Sequence, residues 1–228
     1  PMMQEEMNLS GEDSRALHWD GSVTDSRKQH FPVVIIGAGV GGVLAGIRLR
    51  EAGIPFVIVE KNSDVGGTWH ENTYPGARVD TPNYFYCYSF EPNHDWSQYY
   101  SQQPELQTYL RRCCDEYGVD GHLQLNTTVT DVVFAEEEEV WRVHLCRKDG
   151  STEVLEARAV ISAVGQLNQP KIPDFPGRKS FKGPQFHSAR YEHQHDLRGK
   201  RVAVIGSGAS AFQLVPAIAE QVAQIKVF

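Results

Sequence analysis

Basic residues are in the minority in this 228-residue chain: 22 lysines and arginines stand against 29 aspartates and glutamates, a net charge of −7. No basic stripe offsets that balance, which excludes nucleic acid as a main partner. Long apolar runs are also missing, and none approaches the roughly 20 residues that a membrane-spanning helix needs. Cysteine is scarce. Cys87, Cys113, Cys114 and Cys146 lack metal-ligand spacing, and the N-terminal stretch does not resemble a signal peptide. Reduced thiols, a cytoplasmic location and no metal centre are therefore expected.

What the chain does have is a glycine-rich turn in a telling context. Val33 to Ile36 is a β-branched run that reads as a buried parallel strand. It breaks into Gly37-x-Gly39-x-x-Gly42, after which Val43 to Arg50 follow a helical pattern. In such a turn the first glycine permits the sharp bend, the second lets the backbone approach a pyrophosphate, and the third lets helix and strand pack closely. A second strand, Phe56 to Val59, ends in Glu60, roughly 20 residues after the first glycine, where a carboxylate can hold a ribose diol. The unit therefore reads as a dinucleotide site.

Residues 1–30 are polar and without fixed period, an extension expected to be disordered or draped over the surface. Between Asp64 and Asp80 lies a long shaped loop whose Trp69 and Tyr74 are too large and apolar to be left in solvent. Tyr84, Phe85, Tyr86, Tyr88 and Phe90 read as mostly core, with one or two of them facing a ligand. Pro104 to Tyr117 reads as a helix closed by Gly118, with Cys113 and Cys114 serving core packing rather than redox chemistry. Alternating strands near Val129–Phe134, Val140–Leu145 and Thr152–Ala157 form a meander, with Glu136 to Glu139 a solvated turn. Ala159 to Gly165 is a further buried parallel strand expected to return to the first sheet.

A connection with prolines at 170, 173, 176 and 184 follows, and then the opening motif recurs. A strand from Lys200 to Ile205 leads into Gly206-Ser207-Gly208-Ala209-Ser210-Ala211, with alanine at the close-packing position. A helix over Ala211–Val222, bent at Pro216, and a strand from Ile225 are expected next. The fold class is thus α/β, with two Rossmann-like dinucleotide-binding domains, the first carrying an inserted β-meander. The boundaries are extension 1–30, first nucleotide domain 31–166, connection 167–199 and the start of a second nucleotide domain at 200–228, read as truncated.

Two dinucleotide fingerprints in one chain point to electron transfer between two cofactors. In this order the motifs resemble the class B flavoprotein monooxygenases, most closely the Baeyer–Villiger monooxygenases. Gly67-Thr68-Trp69-x4-Tyr74-Pro75-Gly76-x3-Asp80 matches that family's active-site motif at every defined position. Phe181-x-Gly183-x3-His187-x3-Tyr191 matches the family signature except at its end, where Tyr191-Glu192 replace a tryptophan followed by proline or aspartate. An aromatic residue there is closer to the related N- and S-oxygenating enzymes.

The resemblance implies FAD in the first domain, NADPH in the second, and insertion of one oxygen atom of O2 beside a ketone carbonyl by way of a flavin peroxide. It assigns Gly37, Gly39, Gly42, Glu60, Gly67, Thr68, Trp69, Tyr86 and the Val129 backbone to FAD. Arg78 and Asp80 would border the nicotinamide, Asp80 orienting an arginine that lies beyond Phe228. Gly206, Ser207, Gly208, Ala209, Ser210 and Gln213 would hold the NADPH pyrophosphate. The implied partners are a small ketone and O2, with the remainder of the enzyme C-terminal to Phe228. Heteroatom oxygenation and a non-catalytic FAD-binding fragment are the alternatives.

Overall fold

A computed structural model of the chain describes residues 11, 13, 15–18 and 23–228. Its centre is a four-stranded parallel sheet in the order β3 (Leu123–Gln124), β2 (Phe56–Val59), β1 (Val33–Ile36), β7 (Ala159–Ser162). Ile35 lies opposite Ile58 on one side and Ile161 on the other. Successive side chains of a strand point to opposite faces, and here both faces are covered. Val33, Ile35, Phe56 and Ile58 face a layer of helices, packing with Val43, Ile47, Leu106, Leu110, Cys113 and Cys114. Val34 and Val59 face the other way, onto Val143, Leu145 and Ala157. Continuous apolar runs in β1 and β2 are the consequence of that double burial.

The helical layer consists of α2 (Val40–Ala52) and α4 (Gln103–Glu116); α1 (Asp25–Gln29) precedes β1, and the one-turn α3 (Thr68–Glu71) is bonded to the start of α4. Helix α2 begins directly at its cap Gly39, three residues before the expected start, because its first turn carries the glycines. Helix α4 has Pro104 in its first turn, and Gly118 takes a φ of 63° just past its end. Cys113 and Cys114 are fully buried, and burial pushes both thiols up to about 11, which keeps them protonated packing groups.

The opposite layer is the expected meander: β4 (Thr127–Ala135), β5 (Val140–Arg147) and β6 (Thr152–Ala157), antiparallel throughout. Glu136 to Glu139 are exposed in the β4–β5 turn. β7 then returns beside β1, as expected, but ends at Ser162 rather than running to Gly165, which bends with a φ of 72°. The connection from 167 to 199 holds only two short 3-10 turns, Arg178–Ser180 and Ser188–Arg190. The second unit is β8 (Arg201–Val204), α5 (Ala209–Ile218) and β9 (Gln224–Val227), with β8 and β9 parallel.

The described part of the extension follows the draped alternative: Thr24 caps α1, and Asp13 pairs with Arg48 of α2 at 2.6 Å. The expectation over residues 1–10, 12, 14 and 19–22 lies outside the described residues. Of the aromatic run, most is core as expected: Tyr88 is buried and Tyr86 and Phe90 pack against the same cluster, whereas Tyr84 and Phe85 are exposed on the 3-10 turn Asn83–Phe85. Helix α5 starts two residues early and stops at Ile218, four residues short of Val222; Pro216 sits inside it without ending it.

The layering makes a direct stability prediction. Ile58→Ala, in the sealed helix-side core, should lower the unfolding free energy by about 2–5 kcal/mol. Val133→Ala, on the outer face of β4, should change it by no more than about 0.5 kcal/mol. Urea denaturation followed by circular dichroism measures both, and equal losses would contradict the layering.

Candidate functional site

The carboxyl ends of β1 and β2 open onto the first glycine turn, where open parallel sheets bind ligands. Gly37 takes a φ of 99°, and a Cβ there would lie 2.7 Å from the Ala163 carbonyl oxygen. A Cβ on Gly42 would lie 1.8 Å from the Gly37 carbonyl oxygen, so strand and helix meet with no room for a side chain. Gly39 caps α2 without any side-chain hydrogen bond, and the space beside Gly41 is open. The free N–H groups of that first turn suit an anion such as a pyrophosphate.

Glu60 is only 4 % exposed. One carboxylate oxygen accepts from the Ala38 N–H at 2.7 Å and the other from the Asn62 N–H at 2.8 Å. Each oxygen keeps lone-pair capacity for a diol. Glu60 also bonds through its backbone to Gln124 and Thr127, which brings the start of β4, and so Val129, to the same end of the sheet.

The long loop leans on this turn. The Gly66 N–H donates to the Ala38 carbonyl at 2.9 Å, and a Cβ on Gly67 would come within 2.9 Å of the Gly39 Cα. Thr68 is exposed, whereas Trp69 is buried. The Trp69 indole donates to the Tyr86 hydroxyl at 3.0 Å, with the two rings nearly perpendicular. The Trp69 carbonyl accepts from the Gln103 side chain. Burial raises the Tyr86 phenol above its ordinary pKa and keeps it neutral. Farther along, Arg78 bridges Gln102 and the Val79 N–H donates to the Ser101 carbonyl. Arg78 is half-buried; Asp80 is exposed and has no ion-pair partner among the described residues.

In the second unit Gly206 takes a φ of 112° and donates its N–H to the Phe228 carbonyl. Gly208 caps α5 with no side-chain bond, and nothing crowds a Cβ at either glycine. Gly206, Ser207, Gly208 and Ala209 are exposed and Ser210 half-buried, an open helix start that also suits a phosphate. Gln213 lies one turn farther along α5. Its carboxamide turns to Tyr74 and Arg78 of the long loop.

The sequence profile described as flavin-binding monooxygenase-like matches residues 30–228. The chain belongs to that family. A Baeyer–Villiger monooxygenase of Streptomyces coelicolor is 42 % identical over 201 residues, which cover 88 % of this chain and 38 % of that protein. The crystal structure of a protein named OTEMO, in complex with FAD and NADP, has a TM-score of 0.79 at 38 % identity, covering 88 % of this chain and 39 % of that one. Cyclohexanone monooxygenase from Rhodococcus sp. Phi1, bound to NADP+, gives a TM-score of 0.80 at 37 % identity, covering 87 % and 38 %. The chain therefore spans under half the length of each of these relatives.

Among the described residues, the signature segment of this flavin-binding monooxygenase-like chain makes no hydrogen bond to either glycine turn. Phe181 is exposed and lies over Gly183. His187 accepts the Ala189 N–H at its Nδ1 and so caps its own turn. Tyr191 packs edge-on against Phe186 and His193. The segment is anchored by residues that no sequence pattern marks: Glu71 pairs with Arg190 at 3.0 Å and Lys61 at 2.9 Å, and Thr73 bonds His193 at 2.9 Å.

Burial opposes ionisation of Glu71, but hydrogen bonds from Lys61 and Asn62 and the charges of Lys61 and Arg190 outweigh it, holding the carboxyl below its usual range. A depressed carboxyl contributes stability above its unfolded value, about 4.3, and that contribution is lost as pH falls through the lower folded value. Residues 187–193 should therefore loosen below about pH 4, seen as faster hydrogen exchange after correction for intrinsic rates. Glu71→Gln should show the loosening at neutral pH. Identical exchange in both proteins at pH 7 would contradict the anchoring role.

Proposed function

We propose that this chain binds FAD through its first unit and NADPH through its second. We further propose that the enzyme it forms part of inserts one oxygen atom of O2 beside a ketone carbonyl, yielding an ester or lactone. The observation that carries the reading is the Gly67–Asp80 loop, pressed on the first glycine turn at one end and bonded to α5 at the other. The names of the relatives and the nucleotides bound in the solved structures support it. The working division is an FAD domain over 31–166, a connection over 167–199 and the start of an NADP domain at 200–228.

The bound cofactors would supply hydride transfer and oxygen activation; the chain supplies placement. Gly37, Gly39 and Gly42 leave room for the FAD pyrophosphate, Glu60 offers its carboxylate to the ribose, and the Val129 backbone lies at that end. Gly67, Thr68 and Trp69 form the wall toward the flavin, with the neutral Tyr86 hydroxyl held against the indole. Gly206, Ser207, Gly208, Ala209 and Ser210 offer N–H groups to the NADPH pyrophosphate. Arg78 and Asp80 border the nicotinamide, and Asp80 holds a cation whose charge stabilises developing negative charge at the oxygen centre. We place that cation C-terminal to Phe228, in length that the relatives have and this chain does not cover. The substrate is a small ketone, and the four free cysteines fit a cytoplasmic protein.

Tyr191 favours a second reading, oxygenation of amines or sulfides. The test is product analysis of the full-length protein with NADPH, O2 and paired ketone and thioether panels. Ester or lactone products are expected, and Tyr191→Trp should change their yield only modestly. Asp80→Ala should leave the bound flavin spectrum in place while lowering ketone oxygenation by about 100-fold. Oxidation of amines or sulfides alone, with ketone chemistry opened by Tyr191→Trp, would overturn the ketone assignment in favour of the second reading.

A further inference from the structure

We infer that Gln213 is a positioning residue, a clasp that makes the Tyr74–Asp80 loop and the second nucleotide turn move as one body. The inference rests on the reading above, in which Arg78 and Asp80 border the nicotinamide.

Gln213 sits in α5 one helical turn beyond the glycine turn that starts that helix. Its Oε1 accepts the Tyr74 hydroxyl at 2.9 Å and the Arg78 N–H at 3.2 Å. Its Nε2 donates to the Arg78 carbonyl at 3.0 Å. The carboxamide thus satisfies both backbone groups of Arg78 on that side, as a neighbouring strand would. Only an amide side chain of this length offers an acceptor and a donor together; a glutamate keeps the acceptor and loses the donor, and a leucine loses both.

The surroundings are shaped for this contact. Gly76 takes a φ of 83°, and a Cβ there would lie 2.6 Å from the Gln213 carbonyl oxygen and 2.9 Å from the Ala217 Cβ. The loop backbone therefore rests directly on α5. Tyr74, whose hydroxyl supplies the third bond, is buried. On its other edge the same loop is fastened to the start of α4, where the Gln103 N–H donates to the Ala77 carbonyl at 2.9 Å. Residues 76–79 are in effect a strap between α4 of the first unit and α5 of the second. A shift of α5 when its N-terminal turn takes a phosphate passes through Gln213 to the Arg78 backbone, and so to the side chains that border the nicotinamide. Gln213 acts through Arg78 and does not itself need to touch a nucleotide.

The test uses the full-length protein with Gln213→Leu, Gln213→Glu and Tyr74→Phe. Without nucleotide, the Arg78 amide should exchange about tenfold faster in Gln213→Leu than in wild type, as expected for a lost hydrogen bond. With NADPH saturating, flavin reduction should slow by about tenfold in Gln213→Leu and less in Tyr74→Phe, while the NADP+ dissociation constant stays within about twofold. The double variant Tyr74→Phe/Gln213→Leu should be no slower than Gln213→Leu alone, because the two act through one network. Gln213→Glu, which keeps the helix surface and one acceptor, guards against a leucine variant that fails to fold. A weakened NADP+ affinity with unchanged Arg78 exchange would overturn the clasp and make Gln213 a pyrophosphate ligand. Should the wild-type protein not reduce flavin with NADPH, the functional reading fails, and the exchange of the Arg78 amide still decides the clasp.

Discussion

Everything at the first glycine turn depends on one buried acidic side chain held by backbone. Glu60 is almost fully enclosed, and an unpaired carboxylate in that position would be strongly disfavoured. The N–H groups of Ala38 and Asn62 satisfy it, and the Ala38 carbonyl in turn receives the Gly66 N–H. Three segments, the β1–α2 turn, the end of β2 and the start of the long loop, are therefore registered on the backbone of Ala38. The turn is shaped by the protein itself, so a pyrophosphate and a ribose would meet donors and a carboxylate already in place.

The same loop carries that registration outward. Between Gly66 and Asp80 it touches the glycine turn, buries Trp69 against Tyr86, rests on α4 through residues 77–79 and ends against α5. A separate set of contacts, from Glu71 to Arg190 and Thr73 to His193, ties the connection to its early part. Two glycine-turn units joined by a connection with four prolines would otherwise be free to drift, as domains with small polar interfaces do. Here the loop, rather than the connection, supplies the joint. That explains why Trp69, Tyr74, Ala77 and Val79 are buried although the loop contains only one helical turn.

Much of this was legible in the sequence. The β-branched runs of β1, β2 and β7 announced a sheet covered on both faces, and the alternation in β4 to β6 announced one covered on a single face. Trp69 and Tyr74 are buried because of their size, as that reading required. The paired cysteines pack as small apolar groups. Other parts carry no local signal. A two-residue edge strand such as Leu123–Gln124 has no period to detect. Tyr84 and Phe85 look like core by composition, and only the tight turn at Asn83 decides that they face out. The bonds of Glu71 to Arg190 and of Gln213 to Tyr74 and Arg78 each span more than a hundred positions, and long-range side-chain bonds leave no trace in spacing.

The central claim is that the first unit is a preformed dinucleotide cradle organised by Glu60. It is tested most directly by titrating the 228-residue chain with FAD and following flavin fluorescence alongside far-ultraviolet circular dichroism. One FAD per chain should bind to wild type, and Glu60→Ala should lose most of that binding, because both the turn and the ribose contact go with the carboxylate. A folded wild-type chain that stays colourless, or a Glu60→Ala chain that binds FAD as tightly as wild type, would contradict the account.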